Sequence, residues 1–415
     1  MKRRAFVTSL GSYGDLHPFL KLAGILRELE FDVILFASGY FERDVIACGL
    51  HFESISPRSE YEELLGRARP LHIFELGDLL AEYLVLRPLQ TTYEKILEFQ
   101  PNSNDVLIIH PLALGARLIA DSHAVPSIGC QLSPYGIPSV YDPARLLPAL
   151  DLRCLPHWLL RFGIHKAYDY VDRRLLSQLN EFAKSIGVSE IPSVYPWVLD
   201  CDSVLGLFPH WFAPPAPDWP EQITSCTFPL FEESLSVELP PGLQEFLDAG
   251  KPPVIFTQGT PNAHAEAFFE AAAEVCMELN LRGVFLAPQL RSELKKYAAQ
   301  VVYFPMAPLE FLIPRSIAVV HHGGIGTSAR ALHGGKPQVI LPWGVDQFDN
   351  ARRIEELGVG ISITLRFFLR KKLKWALEQV LSDSRFGDNA ARIAQRMQKE
   401  QQEEIIKTRL QKILF

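Results

Sequence analysis

Short apolar runs recur along this chain at intervals that a helix can fill, and they do so twice. The first series comprises residues 5–8, 33–37 and 106–109, with Pro126-Ser-Ile128 a further strand candidate. The second comprises 254–257, 284–286, 301–303, 317–320 and 339–341. Runs of three to five apolar residues without strict alternation read as strands covered on both faces. Between them, positions such as Phe19, Leu22, Ala23 and Leu26 fall at helical spacing. Strand and helix in alternation imply a parallel sheet with helices on either side. The two series are separated by a stretch rich in proline: Pro209, Pro214, Pro215, Pro217, Pro220, Pro229, Pro240 and Pro241. Proline at that density breaks regular structure and stiffens a connection. The expected fold is therefore α/β, with two doubly wound parallel-sheet domains facing across a cleft. The expected boundaries are 1–225 for the N-terminal domain, 226–242 for the linker and 243–388 for the C-terminal domain. A helical, charged tail follows over 389–415. Residues 60–100 and 145–185 are helical in pattern and longer than a crossover requires, so they read as insertions that could wall a cleft.

In open α/β sheets ligands lie outside the carboxyl ends of strands, so the residues just after each apolar run are the candidates for function. After 317–320 comes His321-His322-Gly323-Gly324-Ile325-Gly326-Thr327, and then the start of a helix. A strand, a glycine turn and a helix N-terminus form an anion site, because unpaired N–H groups and the helix dipole converge there. The pattern is neither the dinucleotide fingerprint nor a P-loop. After 254–257 come Gln258, Gly259 and Thr260, a glycine turn at the end of another strand. After 5–8 comes Gly11-Ser-Tyr-Gly14-Asp15-Leu-His17-Pro18. Asp346 and Gln347 stand side by side, and their carboxylate and amide can accept from and donate to neighbouring hydroxyls. A simple helix cap would also account for Asp346, and equally for Asp15.

Composition narrows the function classes. Lys and Arg number 41 against 48 Asp and Glu, a net charge of −7. That balance argues against general nucleic-acid binding. Six scattered cysteines (48, 130, 154, 201, 226 and 276) include no Cys-x-x-Cys pair and read as reduced core residues. The N-terminus lacks the pattern of a signal peptide, and no apolar run approaches the roughly 20 residues that span a bilayer. The expectation is a cytoplasmic protein, with peripheral contact at the inner face of the membrane left open.

The glycine turn, Gly335-Lys-Pro337-Gln338, Pro342 and Asp346-Gln347 together resemble the nucleotide-sugar site of family 1 glycosyltransferases, which have the GT-B fold. The segment Gly11–Pro18 is similar to the same family, as are Leu207-Phe-Pro-His-Trp-Phe-Ala-Pro-Pro215, Asp218-Trp-Pro220 and Phe256-Thr-Gln-Gly-Thr260. The middle portion is closest in pattern to the bacterial rhamnosyltransferases of monorhamnolipid synthesis. The resemblance implies an inverting, metal-independent enzyme with no cofactor. It would move a hexose, with dTDP-L-rhamnose favoured and UDP-glucose next, to a small lipophilic alcohol such as a hydroxyacyl lipid. Sterol, polyketide or flavonoid-like acceptors go with the UDP-glucose alternative, and a catalytically silent sugar-nucleotide-binding subunit is a further one. The resemblance also assigns roles: His322, with His321 as competitor, and Gly323, Gly324, Gly326, Thr327, Gly259 and Thr260 at the phosphates; Asp346, Gln347 and Trp343 at the sugar; Asp15 as general base, with His17 as the alternative. It further implies that the C-terminal tail returns to the N-terminal domain. Three departures concern the nucleotide end. Met306 stands where the family often has an aromatic residue, leaving backbone at Ala307 to read the base. Arg330 replaces a ribose-binding Glu, and Gly344 replaces the Trp that precedes Asp-Gln in plant members. The Asp200-Cys-Asp202 triplet imitates the metal motif of GT-A enzymes in the wrong architectural setting.

Overall fold

A computed structural model describes residues 2–68, 73–147, 150–232, 239–259, 265–287, 300–364 and 369–415. It divides into two compact units. The first holds Met1–Ala144, Asp151–Phe231 and Gln402–Phe415; the second holds Arg145–Leu150 and Glu232–Gln401.

The first unit is built on a seven-stranded sheet: β1 (Arg4–Thr8), β2 (Asp32–Ser38), β3 (His51–Ser56), β4 (Val106–Ile109), β5 (Ser127–Gln131), β6 (Ser203–Gly206) and β7 (Ile223–Ser225). All pairs are parallel, in the spatial order β3-β2-β1-β4-β5-β6-β7. The second unit carries β8 (Val254–Thr257), β9 (Gly283–Leu286), β10 (Val301–Phe304), β11 (Ala318–His321), β12 (Gln338–Ile340) and β13 (Gly360–Ser362). These are also parallel, in the order β10-β9-β8-β11-β12-β13. Their central strands are sealed on both faces, as the unbroken apolar runs require: Phe6, Leu35, Ile108, Phe256 and Val320 are all fully buried.

Each sheet winds outward in both directions from a central pair, β1 beside β4 and β8 beside β11. Between the members of such a pair the covering helices diverge to opposite faces, leaving a crevice at the carboxyl ends. Asp15 and His110 follow β1 and β4, while Gly259 and His322 follow β8 and β11. Both sets of candidate residues therefore sit where the winding reverses.

The segment boundaries differ from the sequence expectation in three places. Residues up to Phe231 remain with the first unit, because Phe231 joins its core. The helical reading of 145–185 holds only from His157, where a 29-residue helix (His157–Ser185) begins after Pro156. Before it, Arg145–Leu150 groups with the second unit, the Arg145 N–H donating to Asp349. The charged tail also splits. Ser384–Lys399 packs on the Ile325–His333 helix of the second unit. Gln402–Leu414 instead lies along the Tyr13–Glu28 helix of the first, burying Ile406 and Leu410 and pairing Lys21 with Glu403 and Lys407 with Glu28. The six cysteines are free thiols. Among the described residues, no helix is long and apolar enough to cross a membrane.

Candidate functional site

In the second unit the chain leaves β11 at His321 and enters the Ile325–His333 helix through Gly324, its N-cap residue. No side chain caps that helix, so the N–H groups of its first turn, at Ile325, Gly326 and Thr327, lack intrahelical partners. Gly323 takes φ +95°; a Cβ there would lie 2.8 Å from Ile340 and 3.1 Å from the Gln347 carbonyl. Only glycine fits both the backbone and the space.

The two adjacent histidines are not equivalent. His321 is fully buried. Its Nδ1 accepts from the Gly323 N–H (3.1 Å) and its Nε2 donates to Gln338 Oε1 (2.9 Å). Both ring nitrogens are thus engaged inside the protein. The His322 ring lies between two glycines: a Cβ on Gly259 would come within 2.8 Å of its Cε1, and one on Gly324 within 2.6 Å of its Nε2. Its Nδ1 is sealed from solvent and has no hydrogen-bond partner among the described residues. Desolvation pushes the His322 imidazole down to about 4. Desolvation, followed by the proximity of His322, pushes His321 down to about 3. Both rings are therefore neutral near pH 7, and His322 is a neutral, hydrogen-bonding imidazole. Thr260 lies outside the described residues.

The loop before the Gln347–Glu356 helix holds Trp343, Asp346 and Gln347. Val345 there takes φ +52°, which is strained for a β-branched residue and typical of loops whose geometry is imposed by their surroundings. Asp346 occupies the N-cap position but makes no side-chain cap, so capping does not explain its carboxylate. Its Oδ2 accepts instead from Asn350 Nδ2 (2.8 Å), which also donates to the Gly323 carbonyl (3.0 Å). Asn350 is fully buried and ties the Asp346 loop to the glycine turn. Gln347 Oε1 accepts from the Trp343 N–H (3.0 Å), leaving its amide NH2 as donor. Sequence reasoning missed Asn350. One signal was available: it stands one helical turn after Asp346, where side chains share a face. Beyond β10, Met306 is exposed and Ala307 buried.

In the first unit, Ser12 caps the Tyr13–Glu28 helix and Asp15 closes a capping box. Asp15 Oδ2 accepts from the Ser12 N–H (2.6 Å) and hydroxyl (2.9 Å). The cap is real, yet it occupies only one carboxylate oxygen. Oδ1 faces His110 Nε2 at 3.6 Å. Sequence reasoning passed over His110, although it directly follows an apolar run. His17 stacks on Phe231 (ring centroids 5.3 Å apart) and lies 5.6 Å from Tyr13, which fixes the ring among aromatics. Asp202 receives the Ser127 N–H and hydroxyl, both at 2.8 Å, and so closes the start of β5.

The chain is similar in sequence and in fold to known proteins. Residues 270–412 match the family described as erythromycin biosynthesis protein CIII-like, C-terminal domain. Over 371 residues the chain is 27% identical to the vancomycin aglycone glucosyltransferase of Amycolatopsis orientalis, covering 86% of this chain and 85% of that protein. Over 419 residues it is 24% identical to a sterol 3-beta-glucosyltransferase of Kluyveromyces lactis, covering 94% of this chain and 33% of the relative. The chain thus spans about a third of that enzyme's length. The solved structure of spinosyn rhamnosyltransferase SpnG, complexed with thymidine diphosphate, is similar with a TM-score of 0.66 at 18% identity, covering 95% of this chain and 96% of that one. The fold is GT-B, and the two sequence relatives are both named as glucosyltransferases.

Proposed function

We propose that the protein is an inverting glycosyltransferase that moves a hexose from a nucleoside diphosphate to the hydroxyl of a small lipophilic alcohol, without a metal ion. The observation that carries this reading is the His322 ring held between Gly259 and Gly324, at a helix N-terminus that no side chain caps. A diphosphate leaving group develops charge as the glycosidic bond to it breaks. Fixed N–H dipoles and a neutral imidazole stabilise that charge with no reorganisation at the moment of reaction. Gly323, Gly324, Gly326, Thr327, Gly259 and His322 form this phosphate site. His321, with both nitrogens engaged, positions the turn. Asp346 and the Gln347 amide hold sugar hydroxyls, Trp343 flanks them, and Met306 and Ala307 meet the base.

The acceptor oxygen attacks the anomeric carbon on the face opposite the diphosphate, and the configuration inverts. The bond from that carbon to the diphosphate oxygen breaks, and its electron pair leaves with the diphosphate. Asp15 takes the hydroxyl proton; a base placed this way contributes roughly 10²–10⁴-fold. His17, stacked on Phe231 and tilted against Tyr13, serves better as a wall than as a base. dTDP-L-rhamnose is the favoured donor and a hydroxyacyl lipid the favoured acceptor, from the resemblance of the 207–220 and 256–260 segments to rhamnolipid-type enzymes. The thymidine diphosphate held by the structural relative fits the same donor class. The second reading, UDP-glucose with a sterol or polyketide acceptor, draws on the glucosyl transfer named for both relatives and the sterol named for one.

The test is diphosphate release in EDTA from dTDP-L-rhamnose and from UDP-glucose, each with a 3-hydroxyacyl lipid, a sterol and a polyketide aglycone. Release that needs both the rhamnose donor and the lipid supports the first reading, whereas release from UDP-glucose with either other acceptor supports the second. Tight dTDP binding without release from any pair would overturn both and favour a silent binding subunit.

A further inference from the structure

We propose that His110 is the residue that positions the Asp15 carboxylate, acting as a fixed N–H donor that never relays the proton. The inference rests on the reading of Asp15 as the base. It begins with the strand pair at which the first sheet reverses. Thr8, the last residue of β1, donates its hydroxyl to the Ile108 carbonyl (3.2 Å) and accepts the His110 N–H (3.1 Å). The carboxyl ends of β1 and β4 are thereby locked together, and His110 leaves β4 at a fixed height. Its ring is only 2% exposed and packs against Phe19 at 5.4 Å between centroids.

The ring's proton can then be assigned. Nδ1 accepts the Leu112 N–H at 3.1 Å, so it carries a lone pair and the proton sits on Nε2. That Nε2–H is buried and has no hydrogen-bond partner among the described residues. A buried, unpaired donor is costly and calls for an explanation. The group it faces is Asp15 Oδ1, 3.6 Å away. Catalytic hydrogen bonds are often long in the absence of substrate and tighten when it binds.

The carboxylate is thus asymmetric. Oδ2 carries two donors from Ser12; among the described residues Oδ1 has none at hydrogen-bond distance, with His110 Nε2 at 3.6 Å, and it is the oxygen left to take the acceptor's proton. His110 cannot pass a proton onward without protonating Nδ1 and breaking the Leu112 bond. The acceptor's proton therefore ends on Asp15 Oδ1, while His110 fixes that oxygen's direction. Asp15 contributes the base and His110 the orientation, a division set by the tautomer.

The experiment compares His110→Gln with His110→Asn, each in the native and the Asp15→Asn backgrounds. A glutamine amide places an N–H near the position of Nε2, whereas an asparagine amide reaches only the position of Nδ1. Both variants are polar and buried, and near-UV circular dichroism checks that they fold. The expected result is kcat within about threefold of native for His110→Gln and a loss of about 10²-fold for His110→Asn, the scale of an ångström-sized misplacement. KM for the nucleotide sugar should be unchanged in both. In the Asp15→Asn background the difference between the two should vanish. Equal kcat for the two variants, or a difference that persists without the Asp15 carboxylate, would overturn the positioning role. Full activity of Asp15→Asn alone is a separate outcome: it would overturn the base assignment itself, and the positioning role with it. Should His110→Asn fail to fold, His110→Gln with less than a tenth of native kcat in a folded protein still refutes the proposal.

Discussion

Replacing Gly324 by alanine tests the proposed phosphate site through a single atom. The backbone there, φ −60° and ψ 140°, suits any residue, so no conformational strain enters. The added Cβ would lie 2.6 Å from His322 Nε2 and 3.3 Å from Cε1. Restoring ordinary contact requires the ring to retreat by about 0.8 Å, and an off-rotamer side chain of that kind costs about 0.5–1.5 kcal/mol. Replacing a glycine cap adds a further cost of up to about 1 kcal/mol. Stability should therefore fall by about 1–2 kcal/mol, leaving the protein folded. The effect on function should be larger: an ångström-scale displacement of a group at the reacting centre costs about 10²-fold, or about 2.7 kcal/mol. Titration calorimetry with dTDP and kcat/KM from diphosphate release measure it. In a His322→Ala background the Cβ meets no ring, so Gly324→Ala should add less than about threefold. Simple additivity of the two substitutions, or native dTDP affinity in Gly324→Ala, would refute the view that this glycine exists to accommodate His322.

The same geometry sets three further outcomes. His321 and His322 are held neutral at about 3 and about 4, whereas both protonate near 6.5 when unfolded. The unfolded chain thus binds two more protons between about pH 6 and pH 4.5, and stability must fall as pH drops through that window, by up to about 2.7 kcal/mol per unit; His321→Gln should halve the slope in urea titrations, and an unchanged slope would contradict the burial argument. Asn350→Ala leaves the buried Gly323 carbonyl without its donor and should cost about 1–3 kcal/mol of stability along with about tenfold in donor affinity; loss of stability alone would remove Asn350 from the binding apparatus. Gly115→Ala would press a Cβ to 2.2 Å from the Leu89 carbonyl and should lower the denaturation midpoint by the equivalent of about 1–3 kcal/mol with kcat unchanged in the folded fraction.

Much of this architecture is legible in the sequence because central parallel strands are apolar on both sides. That property exposed β1, β2, β4, β5 and β8–β12. It fails for β3, whose His51, Phe52, Glu53 and Ser54 are only partly covered at the sheet edge, and for β6, β7 and β13, which are short and include Ser, Thr and Gly. In the site, the glycine turn announces itself because few folds need three glycines within four residues. Asn350 and His110 do not, since an isolated Asn or His has no pattern. Their meaning arises from contacts with Gly323 and Asp15, at separations along the chain that no local spacing encodes. The unequal state of His321 and His322 was likewise invisible, being set by Gln338 on the neighbouring strand.

The return of the Gln402–Leu414 helix to the first unit has a bearing on how the chain is made. Ile406 and Leu410 are fully buried in a core whose other members all precede Glu232. During synthesis, the first unit must therefore wait, with that apolar surface uncovered, while the entire second unit emerges from the ribosome. At ordinary elongation rates this wait lasts on the order of ten seconds or more. The unit translated first is the one completed last, and over that interval it is a natural client for chaperones.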